Sequence, residues 1–172
     1  IAADAIAEGL RSFAGIDRRF EILGEMILGP GRALLVDDYA HHPREIEATL
    51  AAAQGCWPDR RKVVVFQPHR FTRTRDHFDE FVSVLGEAQF LILLDVYAAG
   101  ESPIEGADAQ SLAGAIRARG VLEPVMISDQ RALAAVLAGV LCDGDILLMQ
   151  GAGDIGRLSA ALADSDSLEA LQ

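Results

Sequence analysis

The most constraining feature of this chain is a set of short apolar runs without polar alternation. Val63-Val-Val-Phe66, Phe90 to Leu94 and Ile146 to Met149 carry no charge at all. A strand with one wet face alternates apolar and polar residues, so uninterrupted runs belong to strands covered on both faces. Arg18 to Met26, Ala33 to Val36 and Val125 to Ile127 complete the expected strands, the first ending near the Gly29-Pro30-Gly31 turn. Between the strands lie helical patterns. Ile46, Leu50 and Ala53 recur at helical spacing up to Gly55, and Phe78, Phe81, Val82 and Leu85 share one face. Leu112 and Ile116 mark a helix stopped by Gly120, and Leu133, Val136, Leu137 and Val140 mark another, with Ser128 as its expected N-cap. Ile155 to Ala163 reads as the last helix. The expected fold is a doubly wound α/β domain: a mostly parallel, Rossmann-like sheet with helices on both faces.

A length of 172 residues, 51% of them hydrophobic, fits one such domain. Residues 18–163 are expected to form it. Residues 1–17 read as the end of an upstream domain or a linker helix, and 164–172 as a fraying tail. The first residue is Ile1, and the chain reads as a piece of a longer protein. Lys and Arg total 15 against 26 Asp and Glu, a formal charge of −11. That field argues against nonspecific binding to nucleic acid or an anionic membrane. Cys56 and Cys142 are far apart and unpaired in sequence, so they read as small apolar side chains in a reducing compartment.

Ligands of open α/β sheets bind beyond the carboxyl ends of the strands. Four segments fall there: Asp37 to Pro43, Gln67 to Arg75, Asp95 to Glu101 and Gln150 to Gly156. Arg70 and Arg73 are spaced to project from one side of a helical turn, where two guanidiniums suit a carboxylate or phosphate. Equally, the pair could neutralise Asp76, Asp79 and Glu80. Asp37-Asp38 could hold magnesium or ribose hydroxyls, or serve the loop itself. Adjacent His41-His42 cannot both face one ion from a regular element, and solvated or hydrogen-bonding histidines are expected rather than metal ligands. Gly151-Ala-Gly-Asp-Ile-Gly156 matches GxGxxG but lacks the following strand and acid of a dinucleotide site. Its glycines are expected to allow a tight turn and close helix packing, with an anion near the helix N-terminus as a further option. No GxxxxGK[ST] phosphate loop is present.

With these motifs in view, the chain resembles the C-terminal domain of the Mur ligases. The resemblance runs from Phe13-Ala-Gly-Ile-Asp-Arg-Arg-Phe20 to the glycine loop. Asp37-Asp-Tyr-Ala-His-His-Pro43 is similar to the family's DDYGHHP, with Ala40 where Gly is usual. Phe66-Gln-Pro-His-Arg-Phe-Thr-Arg-Thr74 resembles the alanine-adding branch most specifically. The resemblance implies a cytoplasmic ATP-dependent ligase of peptidoglycan biosynthesis that joins L-alanine to UDP-N-acetylmuramate. ATP would phosphorylate the lactyl carboxylate, and the alanine amine would attack the acyl phosphate. On this chain the resemblance implies that Arg70 and Arg73 grip the alanine carboxylate while His69, Tyr39 and His41 border its pocket. Arg19 and Asp38 would reach the nucleotide, Asp38 through the ribose hydroxyls. It places the phosphate loop and magnesium ligands in a central domain, and the UDP-sugar in an N-terminal one. ATP and magnesium would be bound mainly there, and this chain alone would be inactive. Alternatives are a murein-peptide-recycling ligase of the same superfamily, which would not be expected to carry His69-Arg-Phe-Thr-Arg73, and a nucleotide-binding regulatory module built on the glycine loop.

Overall fold

The computed structural model describes residues 1–13, 15–28, 31–120 and 122–164. Six strands build one sheet: β1 (Glu21–Leu28), β2 (Gly31–Asp38), β3 (Lys62–Phe66), β4 (Phe90–Leu94), β5 (Val125–Ile127) and β6 (Ile146–Gln150). Their order is β1-β2-β6-β3-β4-β5. All neighbours run parallel except β1, which pairs antiparallel with β2 at one edge. The last strand therefore inserts between β2 and β3, and the loops leaving these three strands gather at one rim.

The helices are α1 (Ala3–Arg11), α2 (Pro43–Cys56), α3 (Phe71–Asp76), α4 (Phe78–Leu85), α5 (Ala109–Ala118), α6 (Leu133–Val140) and α7 (Ile155–Ala163). Alternate strand residues feed two cores, which explains the unbroken apolar runs. Val64, Phe66, Leu91, Leu93 and Leu148 pack against α2, α4 and α5 through Ile46, Phe81 and Leu112. Val63, Val65, Ile92, Leu94 and Leu147 pack against α6 and α7 through Leu133, Leu137 and Ile155. The doubly wound expectation matches this arrangement.

Several boundaries differ from the sequence reading. β1 begins at Glu21 because Arg18 and Phe20 take left-handed backbone (φ 58° and 49°) and turn the chain first. Arg18 is held in that turn by its N–H to Glu21 Oε2 at 2.7 Å. Ser128 does not cap α6. Asp129 accepts the Arg131 N–H at 3.1 Å and opens a 3-10 turn, Gln130–Ala132, that leads into the helix. The Ser128 hydroxyl instead faces Asp95 Oδ1 at 3.4 Å. Both cysteines are exposed rather than packed, Cys56 at the end of α2 and Cys142 in the turn before β6. α1 buries none of its residues, and Ile6, Leu10, Phe13 and Ile16 are exposed along it and after it. Residues 165–172 of the expected tail lie outside the described residues. No helix among the described residues is long and apolar enough to cross a membrane.

Candidate functional site

The loop leaving β2 starts with the two acids. Asp37 faces α7: its Oδ2 accepts Arg18 Nε at 2.8 Å and its Oδ1 accepts the Ser159 hydroxyl at 3.0 Å. Asp38 faces α2: its Oδ1 accepts the Ala40 N–H at 3.1 Å and its Oδ2 the Thr49 hydroxyl at 2.5 Å. Consecutive strand residues point to opposite faces, so the two carboxylates do not converge on one ion. Among the described residues no three His, Cys, Asp or Glu side chains come together as a metal-binding group.

Past Ala40 the chain enters α2 with Pro43 in its first turn, where a missing N–H costs nothing. Glu45 Oε2 accepts the N–H groups of His41 (2.9 Å) and His42 (3.1 Å), and His42 Nδ1 accepts the Arg44 N–H at 3.4 Å. Burial would raise the Glu45 pKa, but these backbone bonds and the nearby His41 and Arg19 charges outweigh it, and the net shift is downward. His42 is thus a helix cap. His41 turns to the rim, where its Nδ1–H donates to the Tyr39 carbonyl at 2.9 Å.

The loop leaving β3 carries the two arginines. Arg70 adopts φ 73° just ahead of α3, so it does not share a helical turn with Arg73. Its N–H donates to the Tyr97 carbonyl at 2.9 Å, and the Tyr97 N–H donates to Pro68 at 2.8 Å. The loops after β3 and β4 are thereby stitched together by a bridge between His69 and Tyr97. Arg73 donates to the His69 carbonyl at 3.0 Å and to His69 Nδ1 at 3.1 Å. A guanidinium can only donate, so His69 Nδ1 accepts and the imidazole is neutral. Burial, then the charges of Arg73, His41 and Arg70, push the His69 pKa below its usual value against the opposing pull of Glu101. Arg75, not Arg73, pairs with Asp76. No carboxylate lies within ion-pair distance of Arg73 among the described residues.

These side chains form a continuous row. Tyr39 meets His41 edge-on at 5.2 Å, His41 meets His69 at 5.9 Å, and His69 stacks on Tyr97 at 5.5 Å with 12° between planes. Arg19 extends the row, its guanidinium 5.7 Å from the Tyr39 ring and 3.7 Å from Glu45 Oε1. Beside it a concavity of about 310 Å³ is lined by Arg19, Phe20, Asp38, Ala48 and Ala52, among others. Tyr39, His41, His69, Arg70 and Arg73 therefore lie along one rim, and Arg19 and Asp38 lie at its end.

The glycine loop after β6 is filled by the protein itself. A Cβ on Gly153 would stand 2.4 Å from Gln67 Oε1, and one on Gly156 would stand 2.5 Å from the Arg18 guanidinium carbon. Arg18 also donates to the Gly151 carbonyl at 2.7 Å. Close packing explains the glycines, and the Gln67 amide occupies the helix start that could otherwise receive an anion. Gln67, Tyr97 and Glu101 were not singled out in the sequence. Their strand-end positions were the available signal; their partners are distant in the chain.

A family model described as Mur ligase, glutamate ligase domain, matches residues 18–153. The chain belongs to the Mur ligase family. It is 59% identical over 160 residues to the UDP-N-acetylmuramate–L-alanine ligases of Xanthomonas euvesicatoria pv. vesicatoria and Xanthomonas oryzae pv. oryzae. The match covers 92% of this chain and 34% of each of those proteins, so the chain spans about a third of their length. In structure it is similar to the UDP-N-acetylmuramate–alanine ligase of Thermotoga maritima, with a TM-score of 0.71 and 25% identity over 94% of this chain and 34% of that one. A murein peptide ligase from Psychrobacter arcticus shares the fold at 23% identity, with a TM-score of 0.65 over 92% of this chain and 32% of that one. The alternative of a regulatory module built on the glycine loop loses its basis, because that loop is packed from within and the chain is a Mur ligase domain.

Proposed function

We propose that this chain, residues 18–163 above all, is the C-terminal, amino-acid-presenting domain of an ATP-dependent ligase that joins L-alanine to UDP-N-acetylmuramate. The observation that carries the reading is the 59% identity to alanine-adding ligases, and the rim geometry supports it. Arg70 and Arg73 supply forked donors for one amino-acid carboxylate. Their companions, neutral His69 with the His41 and Tyr39 rings, stand in contact along the same rim and would border the small side chain of the bound amino acid.

In this reading Arg70 and Arg73 bind and orient the alanine so that its amine faces the activated carboxylate. Holding the two reactants together lowers the barrier by converting a bimolecular encounter into a positioned one. The concavity by Arg19 and Asp38 offers apolar Phe20, Ala48 and Ala52 next to a carboxylate, a set that suits the base and ribose end of ATP. Among the described residues the glycine-rich loop at the rim offers phosphates no cradle, since it is filled by Gln67, Tyr97 and Arg18. When bound, ATP supplies the phosphoryl group that activates the carboxylate. Its phosphates and magnesium would be held by a central domain of the larger enzyme, and this chain alone would be inactive. The exposed apolar residues of α1 and its exit would face that domain. Such an enzyme would work in the cytoplasm.

The test is ATP turnover by the full-length protein with UDP-N-acetylmuramate, with and without L-alanine, and with the product identified by mass. Alanine-dependent turnover yielding UDP-N-acetylmuramoyl-alanine supports the reading. Turnover that requires a peptide in place of alanine would transfer it to the recycling ligases.

A further inference from the structure

Glu101 sits in the loop leaving β4, after two consecutive left-handed residues, Ala99 (φ 49°) and Gly100 (φ 84°). That bend turns the carboxylate back onto the start of α3. Oε2 accepts the Thr72 N–H at 3.0 Å and Oε1 accepts the Thr72 hydroxyl at 2.7 Å. The same Oε1 lies 3.8 Å from an Arg70 guanidinium nitrogen. At that distance the charges attract, but no hydrogen bond is made. Among the described residues the Arg70 guanidinium donates no hydrogen bond at all, whereas Arg73 already donates to His69 through one nitrogen, Nη1, and keeps its others for a ligand.

Arg70 needs such help. Its backbone takes φ 73°, a conformation that residues other than glycine rarely adopt, and half of its side chain is exposed. A long, exposed arginine samples many rotamers, and ordering it on binding costs affinity. Helix capping alone would not call for an arginine: Asp108 caps α5 by accepting the Ser111 N–H at 2.6 Å with no cation paired to it among the described residues.

We propose that Glu101 is a positioning residue for the amino-acid site: it fixes the first turn of α3 and, by charge alone, restrains the Arg70 guanidinium while leaving its donors for the substrate carboxylate. The inference rests on the reading of Arg70 as a carboxylate-binding residue. Glu101 touches no substrate in this scheme and acts only through Arg70 and α3.

The test is steady-state kinetics of the full-length enzyme carrying Glu101→Gln, which removes the charge and keeps the size. KM for L-alanine rises about tenfold, kcat at saturating alanine stays within about twofold, and the KM values for ATP and UDP-N-acetylmuramate do not move. Glu101→Asp, which keeps the charge, recovers part of the loss. In an Arg70→Gln background, where no charge remains for Glu101 to restrain, Glu101→Gln adds little, because the two residues act through one contact. An unchanged KM for alanine in Glu101→Gln overturns the proposal. So does an equal effect in both backgrounds, or a rise in all three KM values with a lowered melting temperature, which marks a cap and nothing more. Wild-type enzyme without alanine-dependent turnover would overturn the functional reading and this inference with it; normal wild-type turnover beside an unaffected Glu101→Gln removes this inference alone.

Discussion

Gln67, at the end of β3, caps a helix that begins 88 residues later: its Oε1 accepts the Ile155 N–H at 3.1 Å. Its Nε2 donates to Asp154 at 2.6 Å, and Gln130 donates to the same oxygen at 3.0 Å. Burial would raise the Asp154 pKa, yet these two bonds hold it below the usual carboxylate range. A neutral amide thus satisfies the start of α7, the place where a dinucleotide fold would receive a pyrophosphate.

The isolated chain should therefore bind no nicotinamide cofactor. Titration to about millimolar NAD is expected to leave both Trp57 fluorescence and the melting temperature unchanged, whereas a fingerprint site would saturate far lower. A saturable shift near micromolar cofactor would contradict the packing account of this loop.

Two glycine substitutions should move stability in opposite directions. At Gly151 (φ 151°) a Cβ would lie 2.8 Å from the Gln67 carbonyl oxygen, which is backbone and cannot swing away. Gly151→Ala should cost about 1–3 kcal/mol by urea denaturation. Gly114, exposed on α5, has no atom within 4 Å of its would-be Cβ. Gly114→Ala should stabilise by up to about 1 kcal/mol.

Asp37 serves the fold rather than an ion. Among the described residues, removing it leaves the part-buried Arg18 charge with only the Gly151 carbonyl and the Ser159 hydroxyl with only the Ile155 carbonyl, so Asp37→Ala should lose roughly 3 kcal/mol. Magnesium added to the isolated wild-type chain should leave its melting temperature unchanged. A magnesium-dependent rise that disappears in Asp37→Ala would restore the acid pair as a metal site.

His69 gives a pH dependence of defined sign. Its folded pKa is lowered, so the unfolded chain takes up a proton first as pH falls. The contribution of His69 to stability is complete above the unfolded value of about 6.5 and is lost as pH falls from there toward the folded pKa. Stability measured against pH should decline across that window, and His69→Gln should flatten the decline. An equal slope in both proteins would show that His69 is not the titrating group.

The parts legible in the sequence were those decided by local pattern. Val63 to Phe66 and Phe90 to Leu94 could be read as doubly covered strands because burial on both faces leaves no room for a polar residue. The His41-His42-Pro43 and Arg70–Arg73 segments fell at strand ends, where the rim is built. The illegible parts depend on contacts across the chain. Nothing near Arg18 or Arg70 signals left-handed backbone at a non-glycine residue; Glu21 and Asp37 hold the first and Tyr97 the second. Ser128 has a cap's residue type, but Asp129 lies one residue nearer the turn and holds that role. Average burial places cysteines inside, but Cys56 ends α2 and Cys142 lies in the turn before β6, where both are exposed.

The central claim is that the rim arginines bind the amino-acid carboxylate, and Arg73 tests it most directly. Steady-state kinetics of full-length Arg73→Ala, with L-alanine varied, should be compared with a melting curve of the same variant. Losing a charge-assisted contact that is desolvated on closure is worth about 2–5 kcal/mol. That corresponds to a fall of about thirtyfold or more in kcat/KM for L-alanine. The KM values for ATP and UDP-N-acetylmuramate should hold steady, and Arg73→Lys should recover only part of the loss, since a point charge cannot reproduce the planar fork. Near wild-type alanine kinetics with a lowered melting temperature would contradict the account, leaving Arg73 as no more than the partner of His69.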